Sequence, residues 1–255
     1  MLCWSPLAGG FLSGKYGRDQ ELPEGSRISF RKNIDVPRYF SNQAFDVIDE
    51  LKTISTEIGK TPSQISLAWL LFDRRVTSVI IGPKNVELTA ELAEGWLPTL
   101  FMPSKADLAF GDALKVGLAK RDNALPPLDI VAGGMVAIGE DVKEYLDFGR
   151  PNTALYVGGM GAKGRNFYNS LVQRYGFERE ALEIQELYLS GKKKEAEAAV
   201  PTELLEGMNL VGPEGYIREK VAEFAEAGVT YLNIGPIGPP EEQMRIVEKL
   251  KEIVS

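Results

Sequence analysis

The 255-residue sequence contains no histidine and a single cysteine, Cys3. Without histidine, a Ser-His-Asp or Cys-His triad, a histidine-ligated zinc site and the usual proton shuttle at neutral pH are excluded. A single cysteine excludes an intramolecular disulfide and a multi-cysteine metal site, and it is typical of a reducing cytoplasm. We therefore predict a cytoplasmic protein without a metal, whose chemistry would have to use tyrosine, lysine, aspartate or glutamate.

Basic charge and long apolar runs are also scarce. The net charge is −7 and the pI about 5.0, so the composition does not support a nucleic-acid-binding surface. No apolar run approaches the roughly 20 residues of a membrane span, and the N-terminus lacks the pattern of a signal peptide. We expect neither nucleic acid nor membrane as a partner. A phosphorylated small molecule remains compatible as a partner with this acidic composition, because backbone N–H groups and one or two lysines can hold a phosphate.

What the sequence does contain is an alternation of short apolar runs with longer amphipathic segments. Each apolar run ends in glycine or proline, which is typical of buried parallel strands. The predicted strands are residues 2–5, 76–81, 96–101, 128–132 and 230–234. The predicted helices are residues 45–58, 61–72, 86–94, 105–120, 139–148, 214–227 and 241–254. This alternation predicts an α/β fold, a TIM-barrel-like (β/α) parallel barrel.

Two stretches interrupt the alternation. Residues 15–40 are polar and predict a long loop over the barrel mouth, and residues 152–208 predict a helical insertion that includes the glycine-rich segment 158–165. Both are candidate lids, although the second could equally be surface elaboration. The predicted strands are too few for a closed (β/α)₈ barrel. Because open parallel edges favour association, we expect a partial barrel that forms a homo-oligomer.

Three segments near the N-terminus carry a first resemblance: WSPLAGGFLSGKY at residues 4–16, ISLAWLL at 65–71 and VTSVIIG at 76–82. In order and spacing they resemble the last two strands of an aldo-keto reductase. The resemblance spans residues 2–87 and implies an NADPH-linked TIM barrel.

Later segments carry a second resemblance: IGPKNVE at 81–87, AEGWLP at 93–98, ALYVGGMG at 154–161, NFYN at 166–169, EIQELYL at 183–189 and LVGPE at 210–214. They are similar to the C-terminal half of the luciferase-like oxidoreductases, TIM barrels that use coenzyme F-420 or FMN. The two resemblances meet at residues 80–87. We therefore predict a chimera in one barrel-type domain over residues 1–255, with an aldo-keto-reductase-like part, 1–83, and a luciferase-like part, 84–255.

The first candidate site is the segment after the first predicted strand. The aldo-keto resemblance implies that Ser5, Leu7, Gly9 and Gly10 wrap the NADPH pyrophosphate, with Lys15 nearby. Alternatively, the glycines serve only the backbone freedom of a tight turn.

The second candidate site is the strand-glycine-helix segment with Gly82, Lys84 and Asn85. Glycine lets the backbone approach a ligand, and the following helix start favours an anion. The resemblances imply a phosphate of coenzyme F-420 or FMN, or the adenosine phosphate of NADPH. The glutamine common in aldo-keto reductases a few residues later is Leu88 here, which weakens the NADPH case. The alternative is an ordinary turn.

The catalytic residues stay unassigned. Tyr156 and Tyr168 are proton donors only in principle, and the glycine-rich segment 158–165 could either cover a phosphate or polyglutamate tail or act as a link. The aldo-keto tetrad and the luciferase-like ring-positioning residues belong to early strands that neither resemblance includes. Three hypotheses follow: a cofactor-phosphate-binding scaffold with little or no turnover, a luciferase-like oxidoreductase completed by oligomerisation, and an NADPH-dependent aldo-keto reductase.

Overall fold

A computed structural model describes residues 2–24, 26–76, 78–80 and 85–254. The chain divides into two compact units, Met1–Gly82 and Pro83–Ser255. Their boundary lies inside the segment where the two sequence resemblances overlap. That both parts form one barrel-type domain stays a prediction.

The first unit contains two parallel strands, with Cys3 opposite Val79 in the register. The predicted helix boundaries around Gly59 and Thr61 are confirmed: Gly59 ends a helix with φ 66°, and Thr61 forms a capping box with Gln64. The elements are β1 (Leu2–Trp4), α1 (Arg27–Phe30), α2 (Lys32–Tyr39), α3 (Asn42–Ile58), α4 (Pro62–Phe72) and β2 (Ser78–Ile80).

Aromatic side chains form the core of the first unit. Phe11 and Phe45 are buried, and the Phe40 ring lies 5.1 Å from that of Phe11 and 5.2 Å from that of Phe45. The prediction of a loop over residues 15–40 was therefore wrong for α1 and α2. The Ser26 side chain caps α1, and Ile28 is fully buried. Burial of these few apolar side chains outweighs the polar composition of the segment.

The second unit is organised around a central strand formed by β4 (Asp129–Ala132) and β5 (Met135–Ile138). β4 ends at Ala132, as the sequence predicted, whereas β5 was not predicted. The ladder with the neighbouring chain continues past Gly133, because Asn233 N donates to Ala132 O and Gly235 N to Gly134 O, both at 2.9 Å.

The central strand has parallel neighbours on both sides. One side pairs with β3 (Gly95–Trp96) and β6 (Leu210–Gly212), and the other with β7 (Tyr231–Leu232) and β8 (Gly235–Pro236). The fold is thus α/β with parallel sheets. β6 and β7 follow each other in the chain but lie on opposite sides of the central strand, whereas successive strands of a barrel are neighbours. That these strands form part of a partial TIM-like barrel stays a prediction.

Other strand predictions in the second unit need correction. The strand predicted over 96–101 is limited to β3, since Pro98 has no N–H to donate and Leu100 has φ 57°. β6, a three-residue strand directly after the predicted insertion, was not predicted. The helix predicted over 139–148 is replaced by a 3₁₀ segment, Lys143–Gly149.

The remaining helices follow the sequence patterns closely. Most of the predicted insertion, residues 152–208, is helical. Nearer the N-terminus, a π-helical segment, Asp107–Gly111, replaces the start of the helix predicted at 105. The helices of the second unit are α5 (Val86–Leu92), α6 (Asp112–Lys120), α7 (Arg150–Ala154), α8 (Phe167–Arg174), α9 (Glu178–Leu189), α10 (Lys193–Ala198), α11 (Thr202–Met208), α12 (Glu214–Glu226) and α13 (Pro240–Val254). In the described part of the chain, no helix has both the length and the apolar character needed to span a bilayer.

Tyr175 makes the stability of the second unit depend on pH in the alkaline range. Its side chain is 3% exposed, its hydroxyl donates to Leu100 O at 2.9 Å, and burial raises its pKa well above the usual value. A raised folded-state pKa contributes stability that is complete below the unfolded pKa of about 10 and is lost as pH rises further. We expect the free energy of unfolding to fall less steeply above about pH 10 in Tyr175→Phe than in the unaltered chain. Urea unfolding across this pH range checks it, and identical slopes would contradict it.

Candidate functional site

The turn after β1 brings together four of the predicted site residues. Ala8, Gly9 and Gly10 have φ values of 49°, 68° and 95°, so the backbone is left-handed. Its N–H groups have partners within the turn: Ala8 N donates to Ser5 O at 2.8 Å, Gly10 N to Leu7 O at 2.8 Å, and Gly9 N to Ser5 Oγ at 3.2 Å. This geometry accounts for the glycines as turn residues and leaves these N–H groups engaged.

Side chains of both positive and negative charge lie around this turn. The Lys15 amine lies 3.4 Å from the position that a Cβ on Gly10 would occupy, and 5.3 Å from the centre of the Tyr16 ring. Asp35 Oδ2 lies 3.7 Å from the corresponding position on Gly9, is buried without a hydrogen-bond partner among the described residues, and has Arg31 Nε at 3.4 Å. The surroundings of the turn are therefore not uniformly cationic, as a pyrophosphate site would favour.

Asn85 is the described member of the second candidate site, since Gly82 and Lys84 lie outside the described residues. It belongs to the second unit and directly precedes α5. Its side chain is half-buried and forms no capping hydrogen bond, while its carbonyl accepts from Thr89 Oγ1 at 2.8 Å. The Asn85 side chain therefore does not cap the start of α5.

The glycine-rich segment has a packing role at its start. A Cβ on Gly158 would lie 2.4 Å from Tyr188 Cβ, and one on Gly159 would lie 2.5 Å from Tyr188 Cε1. These glycines let a π-helical segment, Leu155–Gly159, pack against α9. Further along, Lys163 forms an ion pair with Glu186.

Two asparagines that the sequence did not single out hold this segment in place. Asn166 is 1% exposed, and its Nδ2 donates to Tyr156 O at 2.8 Å and to Val157 O at 2.9 Å. Asn169 Nδ2 donates to Val157 O at 3.1 Å and to Ala181 O at 2.6 Å. The sequence signal was an asparagine immediately before an apolar helix start, which is typical of a cap.

The two candidate proton donors, Tyr156 and Tyr168, contact each other. Their rings meet edge to face with centroids 4.7 Å apart. Burial raises the pKa of Tyr168, and the neighbouring Tyr156 adds to the shift. A raised pKa makes Tyr168 a weaker acid, which does not favour proton donation near neutral pH. Among the described residues, no group of three or more His, Cys, Asp and Glu is placed to hold a metal.

Comparisons with known proteins find two families along the chain. Residues 79–231 match the luciferase-like monooxygenase family, and residues 1–98 match the aldo/keto reductase family. A Mycobacterium tuberculosis protein named for coenzyme F-420-dependent oxidoreductase activity is 35% identical over 153 residues, which are 59% of this chain and 44% of the relative. An NADP-dependent aldo-keto reductase of Schizosaccharomyces pombe is 34% identical over 94 residues, 36% of this chain and 26% of the relative.

A solved structure shares the fold. The coenzyme F-420-dependent tetrahydromethanopterin reductase of Methanopyrus kandleri superposes with a TM-score of 0.51 at 21% identity, covering 69% of this chain and 49% of the reductase. The chain thus spans less than half the length of these relatives. Since the first family match covers more than half of the 255 residues, the chain belongs to the luciferase-like monooxygenase family, and its N-terminal part is similar to the aldo/keto reductases.

Proposed function

We propose that these 255 residues bind the phosphate groups of a redox cofactor, coenzyme F-420 or FMN in preference to NADPH, with little or no turnover. One observation carries the proposal. The luciferase-like match runs through the segment with Asn85, and a relative that is 35% identical over 153 residues of this chain is named for coenzyme F-420. A deazaflavin or flavin supplies hydride transfer when bound.

Local geometry supports the order of preference. The Asn85 side chain does not cap α5, and Lys84 precedes it in the sequence, so an amide and a cation are adjacent along this segment. At the turn with Gly9 and Gly10, the N–H groups are engaged and a buried carboxylate lies close. The luciferase-like segment is therefore the better phosphate site.

The expectation of little turnover rests on chemistry that the matched segments do not supply. Hydride transfer needs the cofactor ring and the substrate held in near-attack geometry. The resemblances assign that task to strands outside the matched segments, and Tyr168 is a weakened acid.

A second candidate function is a working luciferase-like oxidoreductase whose site is completed by a second copy of the chain. The family match favours it. Its active form would be a homo-oligomer that covers open sheet edges.

Titration with coenzyme F-420, FMN and NADPH, followed by fluorescence, tests the proposal. We expect Lys84→Gln to weaken F-420 or FMN binding about tenfold, because a charge-assisted phosphate contact is lost. Lys251→Gln, an exposed lysine near the C-terminus, is the matched control and should bind as the unaltered chain does. Absence of binding, or equal binding by both variants, would refute the proposed site.

Turnover assays and sedimentation separate the two candidate functions. Binding without reduction of any hydride acceptor supports the scaffold. Turnover by an oligomer supports the enzyme.

A further inference from the structure

The second unit contains an open cavity of about 480 Å³ that the sequence did not indicate. Its wall includes Val86 at the start of α5, Phe110 in the π-helical segment before α6, and six residues around α8: Gly164, Arg165, Asn166, Phe167, Ser170 and Arg174. The cavity is large enough for a small organic molecule of roughly one aromatic ring with a substituent.

The charge on its wall is one-sided. Of the described residues that line the cavity, Arg165 and Arg174 are cationic and none is acidic, although the whole chain has a net charge of −7. Two guanidinium groups on one wall of an acidic protein favour an anion, because guanidinium matches the geometry of carboxylate and phosphate.

Both arginines are positioned by their surroundings. Arg165 N donates to Ala162 O at 2.9 Å in a turn, and Arg174 Nη1 donates to Ala109 O at 3.3 Å. The Arg174 guanidinium has several further N–H donors, so its contact with Ala109 is compatible with binding an anion as well. The helix start contributes less, because the Asn166 side chain already accepts from Tyr168 N and Asn169 N.

The remaining wall is apolar with one hydroxyl. Val86 and Phe110 are buried, Phe167 is half-buried, and Ser170 adds its hydroxyl. Apolar walls beside a cationic one are the arrangement that orients an amphipathic ligand.

We propose that this cavity is a binding site for a small organic anion, a carboxylate or phosphate ester with an apolar or aromatic body. The anionic group contacts Arg174 and Arg165, and the apolar body lies against Phe110 and Phe167. The site is distinct from the cofactor-phosphate contact proposed at Lys84 and Asn85, and it does not require that contact to exist.

Calorimetric titration with phenyl phosphate and phenylacetate tests the proposal and distinguishes the two anion types. Either probe should bind more tightly than inorganic phosphate, which lacks the apolar body, and than benzyl alcohol, which lacks the charge. Arg174→Gln should weaken binding about tenfold, since a charge-assisted contact is lost. Arg179→Gln, an exposed arginine on α9 whose side chain is 87% accessible, is the matched control and should leave binding unchanged.

A second variant covers the case in which Arg174→Gln does not fold. Ala113→Glu keeps both arginines and adds a carboxylate to the half-buried wall at α6, so it should also weaken anion binding by at least about tenfold. Binding of neither aromatic anion, or binding unaffected by both variants, would overturn the proposal. The Lys84→Gln titration reports on the cofactor contact separately, so failure of one proposal is distinguishable from failure of the other.

Discussion

Replacing Gly133 by alanine is expected to destabilise the second unit by about 3–5 kcal/mol, at the upper end of single-substitution effects. Gly133 has φ 154°, in a region that other residues rarely adopt. A Cβ there would lie 2.2 Å from Asn233 O, between β7 and β8. The substitution would therefore force apart the ladder that joins the central strand to residues 230–237. The midpoint of urea unfolding measures the loss.

Gly191→Ala separates backbone strain from steric overlap. Gly191 also has a positive φ, 86°, but a Cβ there would meet no atom within 4 Å. Its substitution should cost only about 1 kcal/mol, the penalty of left-handed backbone for alanine. Equal losses in the two variants would mean that the overlap with Asn233 relaxes without cost.

Asn166→Ala is expected to cost about 2–4 kcal/mol, because a fully buried side chain with partners on both its nitrogen and its oxygen is removed. Nδ2 bonds to the carbonyls of Tyr156 and Val157, and Oδ1 accepts from Tyr168 N and Asn169 N. Those buried groups would lose their partner. Thermal or urea unfolding measures the change.

Asn166→Ser is the matched comparison. Serine can still cap α8 but cannot reach the carbonyls of the π-helical segment, so it should recover about 1 kcal/mol of the loss. If serine restored full stability, the carbonyl contacts would contribute nothing. If serine restored no stability, the hydrogen bonds that cap α8 would contribute nothing to the free energy of unfolding.

Local sequence signals predicted several helix ends correctly. Thr61 and Gln64 form the capping box that their spacing indicates, and Gly59 ends α3 in the left-handed conformation. Such caps depend on neighbours within a few residues. The two family resemblances were likewise readable from contiguous segments, and both matches confirm them.

The candidate site was only partly predictable. Ser5, Leu7, Gly9 and Gly10 share one turn, with the Lys15 amine beside Gly10, as their proximity in sequence implies. The hydrogen bonds inside the turn and the buried carboxylate of Asp35 could not be foreseen. Asp35 reaches the turn through the fold of α2, far along the chain. The binding roles of all the predicted site residues remain predictions.

By itself, the sequence determined the alternation of strands and helices, the parallel pairing, the family and the absence of histidine chemistry. All of these depend on composition or on short contiguous patterns. Only the tertiary structure decided that the ladder of the central strand continues past Gly133, that β6 and β7 lie on opposite sides of this strand, and that Arg165 and Arg174 line one cavity with Phe110. These features depend on which segments, far apart in the sequence, pair by hydrogen bonds and pack against each other. Local sequence patterns do not specify those pairings.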